Sequence, residues 1–585
     1  MKGGQKPKRP IFSAYVTAKA VVDFFSRPSD REASASRLSA LGIDKVYIEF
    51  YRGGLLVDEG ILAEVRRSLE SRGFEVCGGI ATTHGDGFTE RSSIGPHWVC
   101  YTSPITRENL GRAMATGAKV FDCIIVDDFL CTPCRCARCT REKGSRSWSK
   151  FRRDLITEFA NSVIIDTARR VNPRVRLIIK YPQWYDRFHV FGYDVPAQSE
   201  IFDAVWVGTE TRDPRFEYVY EYEAFANYTY IHSIARSKVE GAWFDYHVCF
   251  PEVYVEQAYQ SVLAGSPEII LFSYFPEKFD PKDPHLGALM RERPLIESLA
   301  EELDGLERMG IEAYKPPNSD ASSECYLFDY LGMLGIPLKV VASPPSSRSA
   351  ILPAHARSDP EIADMVARGS YSVVLATAGL LEALPAPHVE GLFGLSRPPV
   401  RRKNLFTYRF RIRGKAENGE ERVLFRSYLE PLTARVVAEA VSGRHYPILT
   451  VNRKQQSTYI AASLDTFRYM PYHGPARVTV AEPVSLPHLP QAYADTLRDL
   501  LLEPYGVKIH APPLIGIYLF GRAEDSEITH VVFENFSDRD ATISIHGVGE
   551  ATVVLGDAGL EKVGQAFQLG IRGRGIVLLA VRTGR

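Results

Sequence analysis

From residue 11 to about 275, short apolar runs alternate with longer amphipathic segments, the pattern of repeated βα units. Eight runs have the length and the Val, Ile and aromatic content of buried strands: 12–17, 45–51, 74–82, 121–128, 175–181, 203–209, 241–246 and 268–275. Between them, Asp30 to Leu41 and Glu64 to Arg72 carry apolar residues at helical spacing, and Trp148 to Arg170 gives a long amphipathic run ended by Asn172-Pro173. Eight parallel strands predict a closed (β/α)8 TIM barrel. An open doubly wound sheet is the alternative, but no glycine-rich dinucleotide fingerprint follows the first strand.

After Glu302 the pattern changes. Residues 311–315, 323–345 and 361–384 predict further βα units, with Asp320 to Ser323 opening a helix, and alternating runs from 405 to 465 predict an appended β layer. A short helix between about 495 and 507 leads into alternating strands (HVVFENFS, ATISIHGV, IVLLAVRT) that predict a small antiparallel β-sandwich.

Composition narrows the class. A chain of 585 residues exceeds one hydrophobic core, so several domains are expected. With 45% apolar residues, 24% charged and a net charge of −1, it has the make-up of a soluble globular protein. The near-neutral balance, read as lacking a long basic run, sets aside nucleic acid and anionic membranes as main partners. No apolar stretch reaches membrane-spanning length. The basic start MKGGQKPKRP is not followed by a secretory apolar core and cleavage site, so a cytoplasmic protein is expected. Sparse Asn and Gln beside plentiful Arg, Glu and Pro is a heat-adapted composition.

Candidate chemistry concentrates in FDCIIVDDFLCTPCRCARC, residues 121–139. A buried strand ends there in Asp127 and Asp128, where a parallel α/β fold places its functional groups. Of nine cysteines, Cys131, Cys134, Cys136 and Cys139 crowd into one loop, a spacing suited to thiolates around a metal rather than to disulfides. Cys134, Cys136 and Cys139 supply three soft ligands for a closed zinc site, the fourth being either Cys131 or Cys100. A metal-free cluster of reduced thiols is the alternative.

At these residues the chain resembles the glycoside hydrolase family 42 β-galactosidases, which pair a Cys after the third barrel strand with a Cys-x-Cys-x-x-Cys loop after the fourth. HWVCYTSPITREN at 97–109 is similar to the first segment and CRCARC at 134–139 to the second. The resemblance implies Cys100, Cys134, Cys136 and Cys139 as ligands of a structural zinc, with Cys131 a bystander. It implies a TIM-barrel catalytic domain over 1–304, a flavodoxin-like α/β domain over 305–485 that mediates trimer contacts, and a C-terminal β domain over 486–585. VDDF at 126–129 falls on the family's acid/base position, with Asp128 in place of a Glu and Asp127 in place of an Asn. WFDY at 243–246 falls on the nucleophile position, with Asp245 in place of a Glu.

Cleaving a glycosidic bond needs two carboxyl groups, one to protonate the leaving oxygen and one to act as nucleophile or as base for water. Candidates at strand ends are Asp127, Asp128, Glu210, Asp213 and Asp245. Two Glu-to-Asp changes widen the gap between the pair, so a second scheme stands beside the family layout. In it, by analogy with the barrel clan that contains α-galactosidases, Asp128 attacks and Glu210 protonates. Lys180, Tyr181, Trp184 and Trp243 lie at the same strand ends and suit sugar hydroxyls and apolar ring faces. Trp243, like Trp206, could equally belong to the barrel core. Glu49, Arg52 and His84 end strands two and three and could bind hydroxyls. The expectation is a cytoplasmic, oligomeric, exo-acting glycoside hydrolase with carbohydrate as its partner. A catalytically silent carbohydrate-binding scaffold is the alternative. A zinc-dependent hydrolase is disfavoured, because a zinc closed by thiolates has no open position.

Overall fold

A computed structural model describes residues 9–212, 220–369, 371–464, 469–471, 478–480, 486–522 and 527–583. Two compact units emerge: residues 1–216, 234–301 and 471–478 in the first, and 217–233, 302–470 and 479–585 in the second.

The first unit is a closed barrel of eight parallel strands: β1 (Ile11–Val16), β2 (Lys45–Arg52), β3 (Glu75–Ile80), β4 (Cys123–Val126), β5 (Arg176–Tyr181), β6 (Ala204–Gly208), β7 (Val239–Asp245) and β8 (Glu268–Phe272). Each pairs with its sequence neighbour, and β8 returns to β1, so no strand edge is left open. All eight expected strands are present, with ends moved by no more than three residues. Helix Pro28–Ala40 matches expectation closely, whereas the next begins earlier, at Glu59, because the Asp58 carboxylate accepts from Gly60 and Ile61 N–H and caps it. The long run from Trp148 is helical to Phe159, widens into a π-turn over Ala160–Ile165 and resumes to Val171.

Inside the barrel, Tyr15, Tyr47, Ile125, Ile178, Trp206 and Trp243 pack in one cluster, so Trp206 is a core residue and Trp243 packs in the core while also lining the cavity at the strand ends. Gly241 on β7 lets the strand lie against the Trp206 indole, since a Cβ there would stand 1.9 Å from Nε1. Lys45 and Glu268 form a buried ion pair in the barrel, with Ser13 and Tyr47 hydroxyls donating to the same carboxylate. Cys77 and Cys123 form a disulfide, which the sequence reading did not anticipate. The cause is register. Gly78 pairs with Ile124, which puts the two cysteines directly opposite on neighbouring strands.

In the second unit, parallel strands follow the order Leu338–Val341, Ile311–Tyr314, Ser349–Leu352, Val373–Thr377, Ser457–Ala462. This is the flavodoxin-like order 2-1-3-4-5. Antiparallel strands Arg444–Lys454, Arg435–Ser442, Leu395–Ile412 and Lys415–Pro431 extend the same sheet, which is the expected β layer. Residues 320–323 do not open a helix: Asp320 accepts from Ser322 N–H in a local turn, and the helix runs over Leu327–Met333. The C-terminal region forms two antiparallel sheets of five and four strands, and Glu307–Met309 joins the larger. Among the described residues no helix is long and apolar enough to cross a membrane.

Candidate active site

Strand ends β2, β4, β5, β6, β7 and β8 converge on a cavity of about 200 Å³. Asp127, Asp128, Lys180, Glu210 and Asp245 meet there, with Arg52, Trp184 and Trp243 also in the lining. The Lys180 ammonium joins the carboxylates. Nζ donates to Asp128 Oδ2 at 2.6 Å and to Glu210 Oε1 at 2.5 Å, beneath the Trp243 ring 4.9 Å away. Two oxygens hung on one nitrogen can stand no farther apart than those bonds laid end to end, about 5 Å. Gly208 makes room for this arrangement, because a Cβ there would lie 2.4 Å from Glu210 Oε2.

Burial and charge divide the carboxyls. Burial pushes Glu210 up to about 7, with Asp128 and Asp245 adding to the effect and Lys180 opposing it. Burial also works to raise Asp128, but the Lys180 charge and its hydrogen bond win and hold that carboxyl below its ordinary range. Lys180 itself is kept charged by its acidic neighbours against burial. One carboxyl therefore stays ionised while its partner keeps a proton toward neutral pH. Asp127 is pushed up to about 7 by burial and by Asp128, against the pull of Arg52. Its Oδ1 accepts the Asp128 N–H at 2.8 Å, and its Oδ2 pairs with Arg52.

Asp245 is engaged differently. Arg212 grips it with two parallel contacts of 3.0 Å each, and its Oδ1 also accepts the His247 N–H at 2.8 Å. Such a forked pair fixes a carboxylate and uses its lone pairs.

Other expected site residues lie elsewhere. Tyr181 is a correction: side chains alternate along a strand, so with Lys180 facing in, Tyr181 faces out and its hydroxyl meets Ser199 and the Val195 carbonyl. His84 is outside the lining, held by Thr89 and Asp86. Glu49 is fully buried under the cavity, where it accepts from the Tyr15 hydroxyl and Ala18 N–H and anchors Arg52. Asp213 lies outside the described residues. Arg212, Trp98, Phe129, Gln183 and Phe272 line the cavity without having been singled out. Arg212 sits two residues past Glu210, and Trp98 lies within the segment that supplies Cys100, so both stood next to residues already chosen.

Beside the site, Cys100, Cys134, Cys136 and Cys139 bring their sulfurs within 4.8 Å of one another. Cys100 Sγ lies 3.7 Å from Cys136 Sγ and 3.6 Å from Cys139 Sγ. Ligands about 2.3 Å from a tetrahedral zinc stand about 3.8 Å apart, so the group fits such an ion. Cys131 points away, its thiol 3.8 Å from the Asp128 carbonyl. Buried Arg152 holds the loop in place by donating to the Pro133 and Val190 carbonyls.

Residues 4–283 match the family model described as "Probable glycosyl hydrolase, catalytic domain", and 302–465 match "Uncharacterized protein SSO3021, second domain". The curated "Uncharacterized protein SSO3021" of Saccharolobus solfataricus is 28% identical over 342 residues, 52% of this chain and 56% of that protein, so the match spans little more than half of the relative. Among solved structures, a catalytic mutant of Gan42B, a GH42 β-galactosidase from G. stearothermophilus, superposes at TM-score 0.63 and 10% identity over 99% of both chains. The α-L-fucosidase isoenzyme 2 of Paenibacillus thiaminolyticus gives 0.63 at 11% identity, over 98% of this chain and 100% of its own. A β-galactosidase from Halorubrum lacusprofundi gives 0.62 at 12%, over 97% and 99%. At such identities the likeness is one of fold.

Proposed function

We propose that this chain is a glycoside hydrolase that retains anomeric configuration, with Asp128 as nucleophile and Glu210 as acid/base. The observation that carries the reading is the single buried ammonium between two carboxyls whose proton affinities are driven apart. Asp128, ionised, attacks the anomeric carbon while Glu210 gives its proton to the departing oxygen. Glu210, now a carboxylate, then takes a proton from the water that releases the sugar from Asp128. When Asp128 loses its charge to the ester, Glu210 has just gained one. Lys180 therefore faces one negative charge at every stage, so its surroundings need no rearrangement. Oxygens that share one nitrogen and stand within about 5 Å of each other favour retention, since inversion needs room for a water between the carboxyls.

Trp184 and Trp243 offer apolar faces to a sugar ring, Arg52 and Asp127 offer polar partners, and the cavity's volume suits a terminal residue rather than a long chain. Galactosides are the first substrates to test and L-fucosides the second, because enzymes for both share the fold. Cys100, Cys134, Cys136 and Cys139 would hold a zinc ion that pins the loop after β4 and has no open position for water.

The test is a screen of α- and β-nitrophenyl glycosides with wild type, Asp128→Asn, Glu210→Gln and Asp245→Asn. Asp128→Asn should be inert on every substrate. Glu210→Gln should still react with activated aryl glycosides, faster with added azide. Asp245→Asn should retain measurable turnover. Loss of activity in the Asp128 and Asp245 variants with Glu210→Gln intact would favour the family 42 layout. A wild type silent on every glycoside would favour the scaffold.

A further inference from the structure

Between Leu395 and Lys415 the chain has eight basic residues and no acidic one. The chain's net charge of −1 hides this run, and the expectation of no basic stretch needs correction there. The run forms strand Leu395–Ile412 of the second unit and the turn beyond it. Alternation, shifted by irregularities after Arg402 and Thr407, buries Leu405, Thr407, Phe410 and Ile412 and leaves the charged side chains exposed. Two aromatic rings share the exposed side, Phe406 at 56% and Tyr408 at 38% exposure. Guanidiniums lie over both: Arg422 is 5.5 Å from the Phe406 ring centre and Arg409 is 5.5 Å from that of Tyr408. Arg401, Arg402 and Arg413 pair with Glu430, Glu382 and Asp499, whereas Arg409 and Arg411, the latter opposite Glu439 in the ladder, have no acidic side chain in ion-pair contact among the described residues. At the end of the run Arg413 lines a cavity of about 510 Å³ with Arg435, Arg453 and Lys508, opposite Asp499 and Glu503.

We propose that this arginine and aromatic face is a docking surface for an acidic polysaccharide. Arginine forks suit carboxylate and sulfate groups, and exposed rings suit the apolar faces of pyranoses. Choosing a glycan over other polyanions rests on the glycosidase reading. The surface lies apart in sequence from every residue given a catalytic role.

The experiment titrates the full chain with fluorescent polygalacturonate, neutral dextran and oligo-dT at low and moderate salt, using wild type, Phe406→Ala/Tyr408→Ala and Arg409→Gln/Arg411→Gln. Polygalacturonate should bind, weaken as salt rises, and bind each double variant about tenfold less tightly. Unfolding temperature and turnover of a small aryl glycoside should not change. Binding no tighter than dextran's, or unmoved by both double variants, would overturn the proposal. Tighter binding of oligo-dT would also overturn it by assigning the face to nucleic acid, as would self-association lost in the variants. Binding is also read on Asp128→Asn, so that cleavage does not disturb it, and a wild type that binds the polymer yet cleaves no glycoside would refute the glycosidase reading alone.

Discussion

Lys180 is the residue on which the site turns. It holds Asp128 down while burial lifts Glu210, and the proposed mechanism needs the first ionised and the second protonated. We expect kcat/KM to peak on the acid side of neutrality and to fall above about pH 7 as Glu210 deprotonates. Lys180→Met should cost about 100-fold or more in kcat and move both limbs of the profile to higher pH, since the ammonium lowers both carboxyls. A downward move of the alkaline limb would contradict this assignment. Stability follows the same shifts. Folded Asp127 and Glu210 hold protons that the unfolded chain releases at ordinary carboxylate values, so their contribution is full at low pH and lost as pH rises through about 7. Melting followed from about pH 5 to 8 should show that decline, and Glu210→Gln should make it shallower. Residue type and place at a strand end were enough to find Asp128, Lys180 and Glu210. Tyr181 was misplaced because adjacency at a strand end was read as convergence, when period-two alternation sends neighbours to opposite sides. Arg212 escaped notice because a cation gripping Asp245 looks, in sequence, like any loop arginine.

At the scale of elements, β3 and β4 are tied together by Cys77 and Cys123, 46 residues apart. Closing such a loop in the unfolded chain is worth about 4 kcal/mol on the chain-entropy account. The Cys77→Ala/Cys123→Ala double variant should melt lower by that order and lose its sensitivity to reductant, with turnover per folded molecule unchanged. The cysteine loop should behave as a second staple. A chelator or Cys136→Ser should lower the melting temperature and release one metal ion per chain, and a loss of turnover without loss of fold would mean that the ion takes part in chemistry. Strands were easy to place because a parallel barrel buries them whole and their apolar runs stand out. Helix starts were harder. A capping residue such as Asp58 sits in polar sequence ahead of the amphipathic signal and extends the helix backwards. The disulfide could not be seen, since it depends on which residues of two strands face each other.

For the whole molecule, the count of strands and the change of pattern after Glu302 anticipated a barrel, a second α/β domain and antiparallel layers, because each architecture has its own periodicity, while the flavodoxin-like order came from the resemblance. Charge did not survive averaging. Eight positive charges between Leu395 and Lys415 leave the rest of the chain at −9, a contrast that the net charge conceals. The sulfur chemistry has a similar large-scale reach. The ring closed by Cys77 and Cys123 contains Cys100, one member of the four-thiol group, while the other three lie beyond it. An oxidant able to join the first pair can equally couple unprotected neighbours in the second. A metal ion held by those four thiols, as proposed, would shield them while the first pair is oxidised. Material oxidised without that ion would be open to a wrong bond in the loop after β4, and would have to be reduced before it could be rebuilt.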